Sequence, residues 1–286
     1  MLNIIGKKHI FITLSALLAL ASLASILFFG LKPGIDFAGG VAWQIKFFGE
    51  APSQERLAVI ASEGTVIPQE NGVFLIRLKE LDEAAKESLL SEFRSVGELE
   101  ELQFQNIGPV IGNELRRKAI WAFGLVLALI SIYVAFAFRK VSKPVSSWKY
   151  GIIALVTLFH DAVIPAGLFA LLGYFIGAEI DTNFVVAILV VMGFSVHDTI
   201  VVFDRIRENI KNSKGAGDFN NLVNASVNQT LSRSINTSLT LVIAIIALLF
   251  FGPVNLQNFL IVILAGTLVG TYSSIFLASP LLTIWR

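Results

Sequence analysis

Hydrophobic positions along the chain fall into two patterns. Six long runs are apolar almost without interruption: Ile10 to Phe29, Ala119 to Phe138, Ile152 to Phe175, Phe184 to Phe203, Ile235 to Phe251 and Phe259 to Ile284. A helix rises about 1.5 Å per residue and roughly 20 apolar residues cross a hydrocarbon core of about 30 Å, so each run predicts one membrane-spanning helix. The first run follows Lys7 and Lys8 as the apolar part of a signal peptide would. It is long and lacks a convincing small-x-small cleavage site, so a retained anchor is expected.

Between the first two runs the pattern changes to short alternations and capped segments. Val41, Trp43, Ile45 and Phe47 alternate as in a half-buried strand, and Ser53 is placed to cap a helix from Gln54 to Glu63 that stops at Gly64. A short strand, Thr65 to Ile67, comes next. Asn71-Gly72 tolerates positive φ and predicts a tight hairpin, after which Val73 to Leu78 reads as a strand. Asp82 caps a helix through about Ser95. A last strand is read from Glu101 to Gln105, with Leu102 and Phe104 facing one way.

The order βαββαβ is that of a ferredoxin-like split unit. The fold class is therefore an α-helical membrane protein of six transmembrane helices with one small α+β domain between helices 1 and 2. The expected divisions are 1–31, 32–118 and 119–286.

Charge settles the expected orientation. Arg139, Lys140, Lys143 and Lys149 lie between the second and third spans, Arg205, Arg207, Lys211 and Lys214 follow the fourth, and Lys7, Lys8 and Arg286 mark the termini. The loops Gly177 to Asn183 and Gly252 to Asn258 contain no Lys or Arg. The excess of positive charge on cytoplasmic loops puts both termini in the cytoplasm and residues 32–118 outside, a segment long enough to translocate regardless of its own charge.

Composition narrows the class. The chain is 55% hydrophobic and 15% charged, with a mean hydropathy of +0.74, which is too apolar for a soluble globular protein. The net charge of +1 comes with no Lys/Arg-rich run, so nucleic acid is not an expected partner, whereas membrane lipid is. With no cysteine, disulfides and thiolate metal sites are excluded. No HExxH-like spacing, nucleophile elbow or nucleotide loop is present, so neither an enzyme, a metal nor a cofactor is expected. The exported segment has no His and only scattered carboxylates, and reads as a binding or moving part, or more simply a spacer.

The candidate chemistry lies within the spans. An Asp or Arg near a helix centre costs roughly 2.5 to 3.5 kcal/mol on insertion scales, so such residues need a partner or a water-filled path. The third span holds His160 and Asp161, the fourth holds Ser195, His197, Asp198 and Thr199, and Ser232-Arg233 precedes the fifth, which continues through Asn236, Thr237 and Thr240. Asp198 lies about 8 Å from the cytoplasmic end of its span and Asp161 about 13 Å from the end of its own, at roughly 1.5 Å per residue.

Arg233, Asn236, Thr237 and Thr240 share one helical stripe, which should face protein or water rather than lipid. An intramembrane carboxylate near an arginine can load and unload protons. The candidate relay is Asp198 and Arg233, with Asp161, His197, Ser195 and Thr237 around them; the competing reading is a static ion pair. Neighbours on a helix do not face each other, so neither His160 nor His197 is paired with its adjacent Asp by sequence alone. Gly266 and Gly270 make a GxxxG pair suited to close packing, and Pro165 stands four residues after Asp161, where it removes a backbone hydrogen bond and predicts a kink or fixed bend.

Three segments resemble one family. Gly34-Ile35-Asp36-Phe37-Ala38-Gly39-Gly40 is similar to the motif of the SecD/SecF protein-export family, which usually has Thr or Arg where this chain has Ala38. The run from Ser195 through His197-Asp198-Thr199 to Asn209 is similar to the long signature of the SecF branch, and Thr230 to Ser238 is similar to its companion. The resemblance implies the resistance-nodulation-division membrane fold, a SecD-like partner, association with the SecYEG channel, and late-stage export of a translocating polypeptide across the bacterial cytoplasmic membrane. It implies that Gly34, Asp36, Gly39 and Gly40 form the motif at the start of the exported domain, and that Asp198 and Arg233 serve transport of the coupling ion. That ion is the proton, with sodium as the alternative. Many members have Asn where this chain has His197. A non-transporting scaffold and a small-molecule exporter of the same superfamily are the competing functions, although such exporters normally carry a second exported domain and a second set of spans.

Overall fold

The computed structural model describes every residue except 63, 80, 140–144, 214–217, 254, 255 and 286. Lys140, Lys143, Lys214, Arg286 and Glu63 therefore lie outside the described residues. The chain divides into two compact units, one of Met1–Lys32 with Trp121–Arg286 and one of Pro33–Ile120.

In the second unit, alternation becomes burial. β1 (Gly40–Phe47) places Val41, Trp43, Ile45 and Phe47 on one face, each at most 3% exposed. α3 (Gln54–Ile60) is capped by Ser53, whose side chain accepts from the Arg56 amide, and buries Leu57. β2 (Thr65–Pro68) and β3 (Val73–Leu78) form an antiparallel hairpin, with Asn71 at φ 58° and Gly72 at φ 73° in the turn. α4 (Glu83–Val96) is capped by Asp82, which accepts from the Ala85 amide at 2.7 Å, and buries Phe93. β4 (Leu99–Ile107) completes an antiparallel sheet of order β2-β3-β1-β4, the order of a ferredoxin-like split unit.

One detail of β4 departs from the expected alternation. The β1–β4 register slips between Gln44 and Ile45, so that Phe104 pairs with Trp43 but Glu101 pairs with Ile45. Leu102 becomes the extra residue of a bulge and is 45% exposed, while Phe104 meets the Trp43 ring edge-on at 5.4 Å between centroids. The bulge also brings Glu101 to the Trp43 indole N–H at 3.2 Å and to Lys86 at 3.7 Å.

The other unit contains long helices. Among the described residues the chain has six helices long and apolar enough to cross a membrane. They are α1 (Lys8–Phe29, preceded by one 3₁₀ turn), α5 (Pro109–Ala137), α6 (Ser147–Ile176), α7 (Thr182–Asn212), α8 (Phe219–Phe251), and α9 (Gln257–Ser273) continued through a π turn, Ser274–Ala278, into α10 (Ser279–Ile284). The protein is a multi-pass membrane protein. α6, α7 and the α9–α10 helix are the inner ones, whereas α1, α5 and α8 bury few residues.

α7 and α8 extend well past the apolar runs that mark them. Hydropathy marks where lipid meets a helix, not where the helix stops, and the polar ends are held by each other. Asn209 Nδ2 donates to Ser226 Oγ at 2.8 Å and to Gln229 Oε1 at 2.9 Å, and Arg205 Nε donates to the same Gln229 oxygen at 2.6 Å. Val202, Phe203, Ile206, Phe219, Val223 and Val227 pack beneath them. Asn224 and Asn228 of α8 also clip the start of the chain, accepting from the amides of Ile4 and Leu2 at 2.9 and 2.8 Å.

Candidate intramembrane site and GG motif

Asp161 is fully buried at the middle of α6. Pro165, four residues later, has no N–H to give its carbonyl, yet α6 continues through that position. The side chain takes three contacts. Ser195 of α7 donates to Oδ2 in a short hydrogen bond, Ser273 of α9 donates to the same oxygen at 2.6 Å, and His160 Nδ1 lies 2.7 Å from Oδ1. The last contact corrects the expectation drawn from helix geometry: residues i and i+1 point about 100° apart, but here both side chains bend back and meet. His160 is 4% exposed, and its Nε2 has no hydrogen-bond partner among the described residues.

Glycine makes the Ser195 contact reachable. Gly266 and Gly270 of α9 face α7, where Val191 and Ser195 occupy the space a Cβ would take; at Gly270 that Cβ would lie 2.9 Å from Ser195 Cβ. Val191, Ser195 and Asp198 form part of the buried face of α7, and Gly266, Gly270 and Ser273 part of that of α9.

Asp198 stands one turn beyond Ser195 and is 2% exposed. Its Oδ2, the Thr199 hydroxyl and the Ser234 hydroxyl of α8 are buried without hydrogen-bond partners among the described residues. Farther along α8, Ser238 and Thr271 of α9 share a short hydroxyl contact. Thus a hydroxyl pair ties α8 to α9, serines of α7 and α9 each reach Asp161 of α6, and the buried Asp198 Oδ2 is left without a hydrogen-bond partner among the described residues.

The other residues singled out by sequence lie elsewhere. Arg233, Asn236 and Thr240 are exposed on this chain, and Thr237 is partly so. The buried face of α8 is instead the offset set Thr230, Ser234 and Ser238. Thr237 Oγ1 donates to the Arg233 carbonyl at 2.9 Å, and Thr240 Oγ1 to the Thr237 carbonyl at 2.7 Å, so both satisfy themselves within the helix. No ion pair joins Arg233 to Asp198 among the described residues, and His197 is exposed on the far side of α7 from Ser195. Ser273 and Ser234, which sequence reading passed over, belong to the buried group. Their signal was present as small polar residues at helical spacing with the GxxxG pair and with Ser238.

In the second unit, Gly34 to Gly40 forms a one-turn helix, α2 (Ile35–Ala38), with Phe37 buried and Asp36 in its first turn. Gly39 has φ +78° and Gly40 φ +118°. A Cβ on Gly39 would lie 2.9 Å from Pro109 Cα, and one on Gly40 would lie 2.8 Å from the Leu78 carbonyl oxygen. The motif is the tight corner where the chain enters β1 between the end of β3 and the start of α5.

Comparison with known proteins gives this geometry its relatives. Residues 86–286 match the model described as protein export membrane protein SecD/SecF, C-terminal, and residues 24–46 match the SecD/SecF GG motif. The chain belongs to the SecD/SecF family. Within that family it is 42% identical to the protein translocase subunit SecF of Thermobaculum terrenum, covering 100% of this chain and 94% of the relative. The SecF of Anaerolinea thermophila is 35% identical with the same coverage.

Among solved SecD/SecF structures, SecDF of Thermus thermophilus, described as a translocon-associated membrane protein, superposes with a TM-score of 0.86 at 33% identity. That match covers 99% of this chain but 38% of the SecDF chain. A SecDF structure in the super-membrane-facing form gives a TM-score of 0.72.

Proposed function

We propose that the chain is the SecF-type subunit of a protein-export complex. In this reading it sits in a bacterial cytoplasmic membrane with both termini in the cytoplasm and residues 32–118 outside. It pairs with a SecD-like subunit at the SecYEG channel and draws on the proton motive force to promote late-stage export of a translocating polypeptide. The observation that carries the reading is its similarity, from end to end, to a SecF translocase subunit. The much longer SecDF relative supports a partner: this chain corresponds to 38% of it, which leaves the remainder for a SecD-like portion.

The intramembrane geometry suits coupling to an ion. Asp198 is the proton-carrying group, buried with one carboxylate oxygen that has no hydrogen-bond partner among the described residues. Arg233 supplies positive charge from α8, where it, Asn236, Thr237 and Thr240 form a polar surface on a membrane helix. Lipid solvates such a surface poorly, and a second membrane subunit covers it. His197 lies at the exposed side, and Ser195 and Asp161 at the inner side. One charge crossing about 100 mV releases about 2.3 kcal/mol, enough to bias a domain movement. The work is mechanical and asks for no covalent chemistry.

The test is to reconstitute the chain with its SecD-like partner in vesicles and follow ion flux and release of exported protein under proton or sodium gradients. Wild type is compared with Asp198→Asn and Arg233→Met. Loss of flux and export in both variants, with the complex still assembled, supports the relay. Export at the wild-type rate in either variant refutes it and favours a scaffold. Dependence on sodium rather than protons changes the coupling ion.

A further inference from the structure

We propose that Asp161 is a positioning residue: it does not carry the ion, but its Oδ2 bolts α7 to α9 and thereby sets where Asp198 stands. The inference rests on the relay reading of Asp198 and assigns a separate task to the second buried carboxylate.

Three observations carry it. First, both serine donors converge on one oxygen. Ser195 comes from α7 and Ser273 from α9, while Asp161 itself belongs to α6, so a single atom joins three helices. Ser195, Ser273 and Asp161 are each 0% exposed. Oδ2 has both of its lone pairs engaged by the two serines, and His160 Nδ1 faces Oδ1, so the oxygen that joins the helices is committed to that junction.

Second, the helices are shaped for this junction. Gly270 lacks the Cβ that would collide with Ser195, so α7 lies close enough to α9 for both hydroxyls to reach α6. The regular α9 ends at Ser273, where a π turn begins, closed by Ser279 Oγ donating to the Ser274 carbonyl at 3.1 Å. π turns insert a residue and re-aim those beside them, frequently at functional sites.

Third, the junction leads directly to Asp198. Ser195 and Asp198 are three apart on α7, within one turn. Any axial slip or rotation of α7 that frees Ser195 therefore moves the Asp198 carboxyl by a similar amount. A misplacement of about 1 Å is enough to cost up to about a hundredfold in a reaction that depends on geometry.

Asparagine separates positioning from proton carriage. Its one carbonyl oxygen has two lone pairs and can accept from both serines, while its NH₂ faces His160 Nδ1, which can accept in the other tautomer. Asp161→Asn therefore keeps the bolt but cannot release a proton. Asp161→Ala, or Ser195→Ala combined with Ser273→Ala, removes it.

The experiment uses the reconstituted complex with its SecD-like partner. Ion flux is normalised to assembled complex for wild type, Asp161→Asn, Asp161→Ala, Ser195→Ala/Ser273→Ala, the triple variant and Asp198→Asn. The expected result is flux near wild type for Asp161→Asn, a loss of about tenfold or more for Asp161→Ala and for the serine pair, and no further loss in the triple variant. Should Asp161→Asn lose flux as Asp198→Asn does, Asp161 carries the ion and the proposal is wrong. Wild-type flux in Asp161→Ala or in the serine pair also overturns it, because the bolt is then dispensable. If Asp161→Ala does not assemble, the serine pair and Asp161→Asn decide between the same outcomes. Wild-type flux in Asp198→Asn instead removes the relay reading itself, an outcome distinct from either failure.

Discussion

Ser195 sits in the space that a side chain on Gly270 would fill, its Cβ 2.9 Å from where a Gly270 Cβ would be. The backbones of α7 and α9 thus approach closely at the level of the Asp161 junction, and the contact tolerates no added methyl group without a shift. In a membrane, where apolar surface gains nothing by leaving lipid tails, such close packing and its hydrogen bonds are what hold helices together.

Substitution at this contact should be felt as overpacking. Gly270→Val is expected to destabilise the helical unit by about 1 to 3 kcal/mol, with Gly270→Ala smaller in the same direction. Thermal unfolding of the purified chain in detergent, read by tryptophan fluorescence, checks this. Unchanged stability in Gly270→Val would mean that α7 and α9 do not meet there.

The GG corner should respond differently from an open glycine. Gly39 and Gly40 combine positive φ with a blocked Cβ position, whereas Gly49, at φ +74°, has nothing within 4 Å of its Cβ position. Gly49→Ala should cost only the backbone penalty of about 1 to 2 kcal/mol, and Gly39→Ala or Gly40→Ala more. Hydrogen exchange of the β1 and β4 amides in the full chain measures the difference, which should appear as faster exchange in the Gly39 and Gly40 variants.

The chain has no cysteine, so single introduced cysteines report without background. On α8, Asn236→Cys should react with a water-soluble maleimide in the solubilised chain, whereas Ser238→Cys, at a position 5% exposed, should not. Adding the SecD-like partner should protect position 236. Equal reactivity at 236 with and without the partner would show that the polar stripe is not the covered surface.

The two ends of α7 test orientation. Asn183 and Asn212 are both exposed and lie near opposite ends of one helix. In intact cells an impermeant thiol reagent should label Asn183→Cys and spare Asn212→Cys, and permeabilisation should expose the latter. The reverse pattern would invert the proposed topology.

Much of the architecture is legible in the sequence because its signals are local. An apolar run of sufficient length has to be a membrane helix, since only a closed hydrogen-bonded backbone survives in lipid. Trp43, Phe104, Ser53, Asp82 and Asn71-Gly72 announce strands, caps and a hairpin because each acts within a few residues of itself. Leu102 was misplaced because a bulge depends on the partner strand. The ends of α7 and α8 were missed because Asn209, Ser226 and Gln229 stabilise helix outside the apolar runs only by meeting one another.

The polar residues divide in the same way. Sequence by itself determined that Asp161 and Asp198 belong to membrane helices, because their apolar flanks leave no other solvent, and that Arg233 stands just before one. It also determined that Arg233, Asn236, Thr237 and Thr240 share a stripe, because helical periodicity is intrinsic to the backbone. Only the tertiary structure decided which way each stripe faces: Asp161 into a junction with Ser195 and Ser273, Asp198 into the bundle with its Oδ2 lacking a hydrogen-bond partner among the described residues, and Arg233 outward. Each residue along a helix turns by about 100°, so the rotation of a helix about its axis selects what is buried. That rotation is set by neighbouring helices, here by the groove that Gly266 and Gly270 open for Val191 and Ser195.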